Sequence, residues 1–381
     1  MLKLTSNVMR FEFPEVHPEA KLEIEFQRTF RIPDDGKTYP LPPGFGQFPV
    51  KLVDDCKDRV PAEWAEHGGV MVPMYQAEAL WVNFKPVRLS EARQGVHRTG
   101  ASQMHYPMAI RVAAGKVNAV SGKEWKKKLK VDDYVVVPPQ PWLDGFCVEE
   151  GKIRQFVAMP LGWGLTVEQQ VTGKEEHGGL QIEVYPMEAE EFEKRFPKYK
   201  PRPQHRRSRG VLRSAGMGGE QMTGGGFATT LGSHDGAATM DWCCTDVAAP
   251  AADMGLGAGG MMKQQIHEDP FGKDVWVKRG RSSRVFVHLA NSFAWEAITK
   301  HKPPPSPCTA EVYAERGLPW FDHYLEGMPI QEGGKNLKAI KSVMALGFQK
   351  GIGVFPSNES VKVKKKNVIQ QAPEGVRNGS W

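Results

Sequence analysis

The feature that most constrains the fold is the alternation of apolar and polar residues in short segments joined by glycine turns. Leu22, Ile24 and Phe26 alternate with polar residues, which is the pattern of a strand with one buried face. Residues 109–122 and 146–159 each carry apolar alternation on both sides of a glycine-containing turn, as β-hairpins do. Because strands joined by such short turns run antiparallel, the chain is predicted to build an antiparallel sheet.

The helices that the sequence predicts are few and short. The segment TVEQQVT follows the pattern of a helix with Thr166 as its N-cap, and residues 188–196 begin with acids that favour a helix start. Ser292 and Thr309 are predicted to cap two further helices, and residues 336–349 have the apolar spacing of one more. We therefore expect an α+β fold that is β-rich, with a mainly antiparallel sheet, short peripheral helices and a Gly-rich mobile segment.

Glycine content divides the chain. Residues 210–260 hold 13 of the 40 glycines and almost no periodic apolar pattern, so they can bury little surface to offset the entropy of ordering. The predicted organisation is a β-rich domain over 15–197, a basic and then Gly-rich linker or insertion over 198–259, a smaller α+β region over 260–350 and a polar tail over 351–381.

Positive charge is concentrated in one stretch. The chain carries a formal net charge of +6, and residues 194–213 contain nine Lys or Arg and no acid. Such a stretch can neutralise phosphates, and an interleaved aromatic residue can stack on a base. Sequence-tolerant nucleic-acid binding, or binding of another partner, is predicted to use Lys198, Tyr199, Lys200, Arg202, Arg206, Arg207 and Arg209. A solvated basic linker would have the same composition, and basic linkers are common.

Two tetrapeptides resemble each other, Pro141-Trp142-Leu143-Asp144 and Pro319-Trp320-Phe321-Asp322. If the two aspartates faced each other across a cleft, they would suit a glycosidase-like hydrolase, in which paired carboxylates divide the acid and nucleophile or base roles. His177 is a further candidate for that chemistry. The alternative interpretation, which we favour from sequence, is a proline-fixed turn whose Trp packs in the core and whose Asp caps the backbone.

A second pair of matching segments is Glu66-His67-Gly68-Gly69 and Glu176-His177-Gly178-Gly179. A carboxylate beside an imidazole could act as an acid/base pair, and two such histidines could share a metal. The end of a helix is the better interpretation, because His favours the last turn and Gly supplies the left-handed residue after it.

The sequence predicts no cofactor and no metal. Its glycine runs do not match the phosphate-binding loop pattern, and the five cysteines are scattered without a paired C-x-x-C spacing. They are expected to be free thiols. The sequence also shows no long apolar run and no export signal at Met1, so we expect a cytoplasmic protein that does not enter a membrane.

Function is less constrained than fold. The ten tryptophans and 16 methionines exceed what a solvating surface requires, and Trp, Met and Arg are favoured at interfaces, although they also fill cores. We expect first a non-enzymatic binding or assembly protein that engages a macromolecular partner through exposed aromatics and the basic mobile segment. The hydrolase and the nucleic-acid binder remain the alternatives.

Overall fold

The computed structural model describes residues 1–90, 105–198, 253–278, 280–323, 328–352 and 360–371. The strands are β1 (Leu2–Thr5), β2 (Val8–Glu12), β3 (Lys21–Phe30), β4 (Thr38–Tyr39), β5 (Lys51–Leu52), β6 (Val70–Met74), β7 (Glu78–Pro86), β8 (Met108–Ala114), β9 (Val117–Asn118), β10 (Val135–Val137), β11 (Trp142–Leu143), β12 (Gly145–Glu149), β13 (Lys152–Pro160), β14 (Leu180–Pro186), β15 (Asp253–Lys263), β16 (Ser283–Asn291), β17 (Trp320–His323) and β18 (Val368–Gln371).

The α-helices are short and lie between these strands in the chain. They are α1 (Ala62–His67), α2 (Val167–Thr172), α3 (Ala189–Arg195), α4 (Ser292–Thr299), α5 (Ala310–Glu315), α6 (Lys335–Lys338) and α7 (Val343–Lys350). None of the helices within the described ranges is both long and apolar enough to cross a membrane.

One large sheet organises the protein. Its main path runs β1-β2-β3-β7-β13-β15-β16-β14-β8-β10, and each neighbouring pair on this path is antiparallel. Parallel pairing occurs off this path, where β4 joins β15 and β6 joins β16, and in a separate pair formed by β17 and β18. The predicted fold class, β-rich α+β with a mainly antiparallel sheet and short helices, is confirmed.

Strands from both sides of the glycine-rich range share this sheet. β15 pairs with β13, and β16 pairs with β14, so segments far apart in sequence are joined by backbone hydrogen bonds. Most of the range 198–259, predicted to be a linker or insertion, lies outside the described residues. Its last part, from Asp253 onward, belongs to β15.

Two glycines of β15, Gly255 and Gly257, lie two residues apart on one face of the strand. A Cβ built at Gly255 would lie 2.7 Å from Thr166 Cγ2, and one built at Gly257 would lie 2.3 Å from Val343 Cγ1. Thr166 is the N-cap of α2 and Val343 begins α7, so the absent side chains let both helices approach the sheet. These glycines, which in sequence resemble a loop, serve close packing.

Several predicted helix ends are correct and others are wrong. Thr166 and Thr309 cap α2 and α5 with their side chains. Asn291, not Ser292, accepts the capping hydrogen bond of α4. Residues 336–349 do not form one helix, because Ser342 caps a new one, α7, after the short α6. A cap within an apolar run can therefore divide it into two helices.

Candidate functional site

The two proline-tryptophan tetrapeptides lie beside each other in the fold. β11 pairs with β7 so that Trp142 stands opposite Asn83. β17 carries the second motif, and the ring of its His323 lies 4.9 Å from the ring of Trp142. Leu41 joins this group through a pair of backbone hydrogen bonds with Phe321.

The two motifs present different faces to the space between them. In β11, Trp142 is half-buried and the next residue, Leu143, points into the core. In β17 the order is reversed, because Trp320 is buried in the core and the half-buried Phe321 faces the cleft. Residues two apart lie on the same side of a strand. Asp322 is therefore on the side of the buried Trp320 and faces away from the cleft, whereas Asp144 is on the side of Trp142.

An open cleft of about 390 Å³ lies between these elements. Its lining combines aromatic rings with uncharged amide side chains. The lining residues are Gln27, Leu41, Pro42, Pro43, Gly44, Trp81, Asn83, Trp142, Asp144 and Phe321. Gly44 is required where the loop crosses Trp81, because a Cβ there would come within 2.8 Å of the indole.

A buried glutamate orients the amides of the cleft. Glu25 accepts from Gln27 Nε2 and from Asn83 Nδ2, each at 2.8 Å, and from Lys85 Nζ at 2.6 Å. Burial opposes ionisation of Glu25, but these hydrogen bonds prevail and lower its pKa, so it is a carboxylate. With their nitrogens turned to Glu25, the amide oxygens of Gln27 and Asn83 can accept hydrogen bonds from a ligand.

Among the described residues that line the cleft, Asp144 is the titratable one. It is 3% exposed, its Oδ2 accepts from Trp142 Nε1 at 3.1 Å, and its Oδ1 is buried with no partner among the described residues. Burial raises the pKa of Asp144 to about 8, partly offset by that hydrogen bond. At neutral pH it is therefore a protonated acid that can donate one hydrogen bond.

Two glutamines hold the backbone around Trp142. Gln140 and Gln264 both donate to the carbonyl oxygen of Trp142, at 3.0 and 3.2 Å. The side-chain oxygen of Gln264 accepts from the backbone N–H of Asp144, and that of Gln140 accepts from the backbone N–H of His267. These fixed contacts place the cleft residues on a rigid support.

A small annex adjoins the cleft and shares Leu41 and Trp142 with it. Its volume is about 10 Å³, and His267 and His323 line it together with Gln140, Pro141, Gln264 and Gln265. Burial lowers the pKa of His267 to about 4, and it also lowers the pKa of His323. Both imidazoles are therefore neutral near pH 7.

The hydrolase residues named from sequence do not gather at one place. Asp144 lies in the cleft, whereas Asp322 pairs with Lys263 at 3.4 Å and is absent from the cleft lining. His177 lies elsewhere, with its Nδ1 3.3 Å from Glu63 Oε1 and its backbone N–H on Glu168. The geometry brings only one of the three candidates to the cleft.

The two Glu-His-Gly-Gly segments approach the same point of β16. Val70 and Leu180, which follow the two segments, both stand opposite Val287. The first segment ends α1, with Gly68 as C-cap, as predicted. The helix-end prediction is wrong for the second, because α2 ends earlier at Gly173. There the glycines instead allow close backbone approaches, Gly178 to Met254 of β15 and Gly179 to Val287 of β16.

Of the residues predicted to bind nucleic acid or another partner, Lys198 is described. Tyr199, Lys200, Arg202, Arg206, Arg207 and Arg209 lie outside the described residues. The nucleic-acid hypothesis therefore stays a prediction. Cys56, Cys147 and Cys308 are free thiols, while Cys243 and Cys244 are not described.

Sequence reasoning missed most of the cleft. The signal for part of it is present in β7, where Trp81 and Asn83 are half-buried and alternate with the buried Leu80, Val82 and Phe84. A half-buried Trp on the polar face of a strand is a marker of a binding surface. No local pattern marks His267 or His323, since they meet only in the folded chain.

Comparison with known proteins finds no matching family model, no matching curated protein and no matching solved structure. The function is therefore argued from the chemistry of the cleft.

Proposed function

We propose that this protein is a non-enzymatic binding protein whose cleft holds part of a carbohydrate chain. The observation that carries the proposal is the combination of Trp81, Trp142 and Phe321 with uncharged hydrogen-bonding groups in one open cleft. Its volume, about 390 Å³, falls within the range of about 300–1,000 Å³ typical of small-ligand sites. A carbohydrate chain is also a macromolecular partner, and it would be engaged through half-buried aromatic residues.

The polar groups favour hydroxyls over charged ligands. Gln27 and Asn83 each donate one amide hydrogen to Glu25, which leaves their oxygens as acceptors and one amide hydrogen on each nitrogen as a donor. Asp144 is protonated at neutral pH, so the described lining carries no ionised carboxylate. A hydroxyl both donates and accepts, whereas an ammonium only donates and a carboxylate only accepts. The apolar faces of sugar rings then suit the indole rings.

A glycosidase-like hydrolase is the second candidate, favoured by the raised pKa of Asp144, which suits a general acid. The two-carboxylate mechanism needs a partner about 5–10 Å away. Among the described lining residues, Asp144 is the only carboxylate, and Asp322 pairs with Lys263. For this reason binding ranks above hydrolysis. New reducing ends from neutral oligosaccharides, lost in Asp144→Asn, would reverse the ranking.

The binding proposal is tested on a panel of immobilised neutral glycans: glucans, galactans, mannans and xylans. Wild-type protein is expected to retain at least one of them, and Trp142→Ala and Trp81→Ala to weaken that binding about tenfold or more. Trp163→Ala is the matched control, because Trp163 is 39% exposed and absent from the cleft lining. Thermal melts of each variant verify folding.

Two results would overturn the proposal. One is the absence of wild-type binding to every glycan in the panel. The other is binding that Trp142→Ala and Trp81→Ala leave unchanged in folded protein, since the aromatic walls would then not contact the ligand.

A further inference from the structure

The annex beside the cleft has room for one small polar group. Its volume of about 10 Å³ corresponds to roughly one water-sized sphere. It shares Leu41 and Trp142 with the cleft, so a ligand lying against the Trp142 ring has the annex next to it. A sugar ring is too large for this space, whereas a single hydroxyl group is not.

The two histidines of the annex lack partners for part of their hydrogen-bonding capacity. His267 is 2% exposed, and its Nδ1 is buried without a hydrogen-bond partner among the described residues. His323 Nε2 is likewise buried and unpartnered. A buried polar atom without a partner costs stability, so the arrangement calls for a bound group.

The charge state of the annex limits what that group can be. Burial keeps both imidazoles neutral near pH 7, and each neutral ring has one donor and one acceptor nitrogen. A hydroxyl can donate to one and accept from the other. The described residues that line the annex include no cation to pair with a carboxylate, which also has more atoms than the annex can hold.

We propose that the annex is a subsite for the exocyclic hydroxyl of a hexopyranose whose ring lies against Trp142 in the cleft, with His267 and His323 as the residues that bind it. The hydroxymethyl group extends away from the sugar ring by one carbon, so it can enter a recess while the ring stays on the aromatic wall. Pentopyranoses lack this group. The inference rests on the proposed carbohydrate binding and makes the cleft selective for hexoses.

The test compares methyl glycosides that differ only in the hydroxymethyl group. The pairs are β-D-glucopyranoside with β-D-xylopyranoside, β-D-galactopyranoside with α-L-arabinopyranoside, and α-D-mannopyranoside with α-D-lyxopyranoside. Dissociation constants come from titrations followed by the indole N–H signals of isotope-labelled protein. At least one hexoside is expected to bind about tenfold more tightly than its pentoside partner.

His323→Phe isolates the subsite, because Phe retains a ring against Trp142 but removes the ring nitrogen. This variant is expected to weaken hexoside binding much more than pentoside binding, so that the ratio of the two dissociation constants falls toward one. A variant at the buried His267 risks misfolding, so that residue is followed in wild-type protein. The nitrogen chemical shift of His267 Nδ1 is expected to move on hexoside binding and to stay still on pentoside binding.

The outcomes separate this inference from the proposed function. If hexosides and pentosides bind equally and shift the Trp81 and Trp142 signals, carbohydrate binding stands and the subsite is refuted. The same holds if His323→Phe retains the hexoside advantage. If no glycoside and no glycan of the immobilised panel binds, the proposed function is refuted, and the subsite with it.

Discussion

Replacing Asp144 by Asn should remove a large part of the pH dependence of stability. Asn is the neutral counterpart of the protonated acid, and its oxygen can still accept from Trp142 Nε1. In the folded protein burial raises the pKa of Asp144 to about 8, against 3.8 for the unperturbed group. An acid with a higher pKa when folded binds its proton more tightly in that state, so stability falls as pH rises between these two values.

The magnitude follows from the width of that window. Each pH unit between about 4 and 8 costs about 1.4 kcal/mol in the wild type, so the free energy of unfolding should decrease by on the order of 4 kcal/mol between pH 4 and pH 7 through this residue alone. This is an upper figure, because local rearrangement can bring water to the carboxylate. Above pH 8 the effect should level off.

The assay is urea denaturation of both proteins from pH 4 to pH 8.5. Other buried acids also titrate in this range, notably Asp253, whose pKa burial raises to about 7. Their contribution cancels in the difference between Asp144→Asn and wild type. Asp322→Asn is the matched control from the second motif, since it removes one exposed ion pair with Lys263, worth at most about 1 kcal/mol. A difference between Asp144→Asn and wild type that stays constant with pH would refute the reasoning.

Three further predictions concern packing and charge. Trp320→Ala should lower the free energy of unfolding by roughly 3–5 kcal/mol, because Trp320 is 1% exposed, and Trp142→Ala should lower it clearly less. Denaturation curves measure both losses. Equal losses would contradict the assignment of Trp142 to the cleft. Gly257→Ala should cost about 1–3 kcal/mol, and adding Val343→Ala should restore part of the loss; no loss would mean that the contact is not tight. Nucleic-acid binding, if present in gel retardation, should weaken steeply between about 50 and 200 mM salt and vanish when four residues are neutralised, namely Arg202, Arg206, Arg207 and Arg209. Binding that survives these four substitutions would mean that other basic residues contact the nucleic acid.

The fold class could be predicted because its determinants are local. The alternation around Leu22, Ile24 and Phe26 gives β3 its buried face, and the turn in residues 146–159 joins β12 to β13. One short segment likewise predicts the cap of α2 at Thr166. In each case the residues that decide the structure are neighbours in the sequence.

The glycine-rich start of β15 could not be predicted as a strand. Glycine has low β-propensity, so its density there favours a loop on local grounds. Tertiary packing decides instead, because the glycines at 255 and 257 admit side chains of α2 and α7. Thr166 precedes β15 in the sequence and Val343 follows it, so no short stretch of sequence contains both contacts.

Only part of the cleft has a signal in the sequence. The repeated motif singles out both Asp144 and Asp322, but which of the two faces the cleft depends on strand pairing. Asn83 and Trp142 are brought opposite each other by that same pairing. Apart from the alternation around Trp81 and Asn83 in β7, the residues that line the cleft leave no local signature, because they are brought together across strands.

The central claim is that a hydroxyl-rich ligand binds against Trp81 and Trp142. The most direct measurement follows the indole N–H signals of the ten tryptophans during titration with the neutral methyl glycosides and with the glycan that the immobilised panel selects. We predict that the signals of Trp81 and Trp142 shift together and saturably, while that of Trp163 stays still. Shifts confined to tryptophans outside the cleft, or no shift with any of these ligands, would contradict the account.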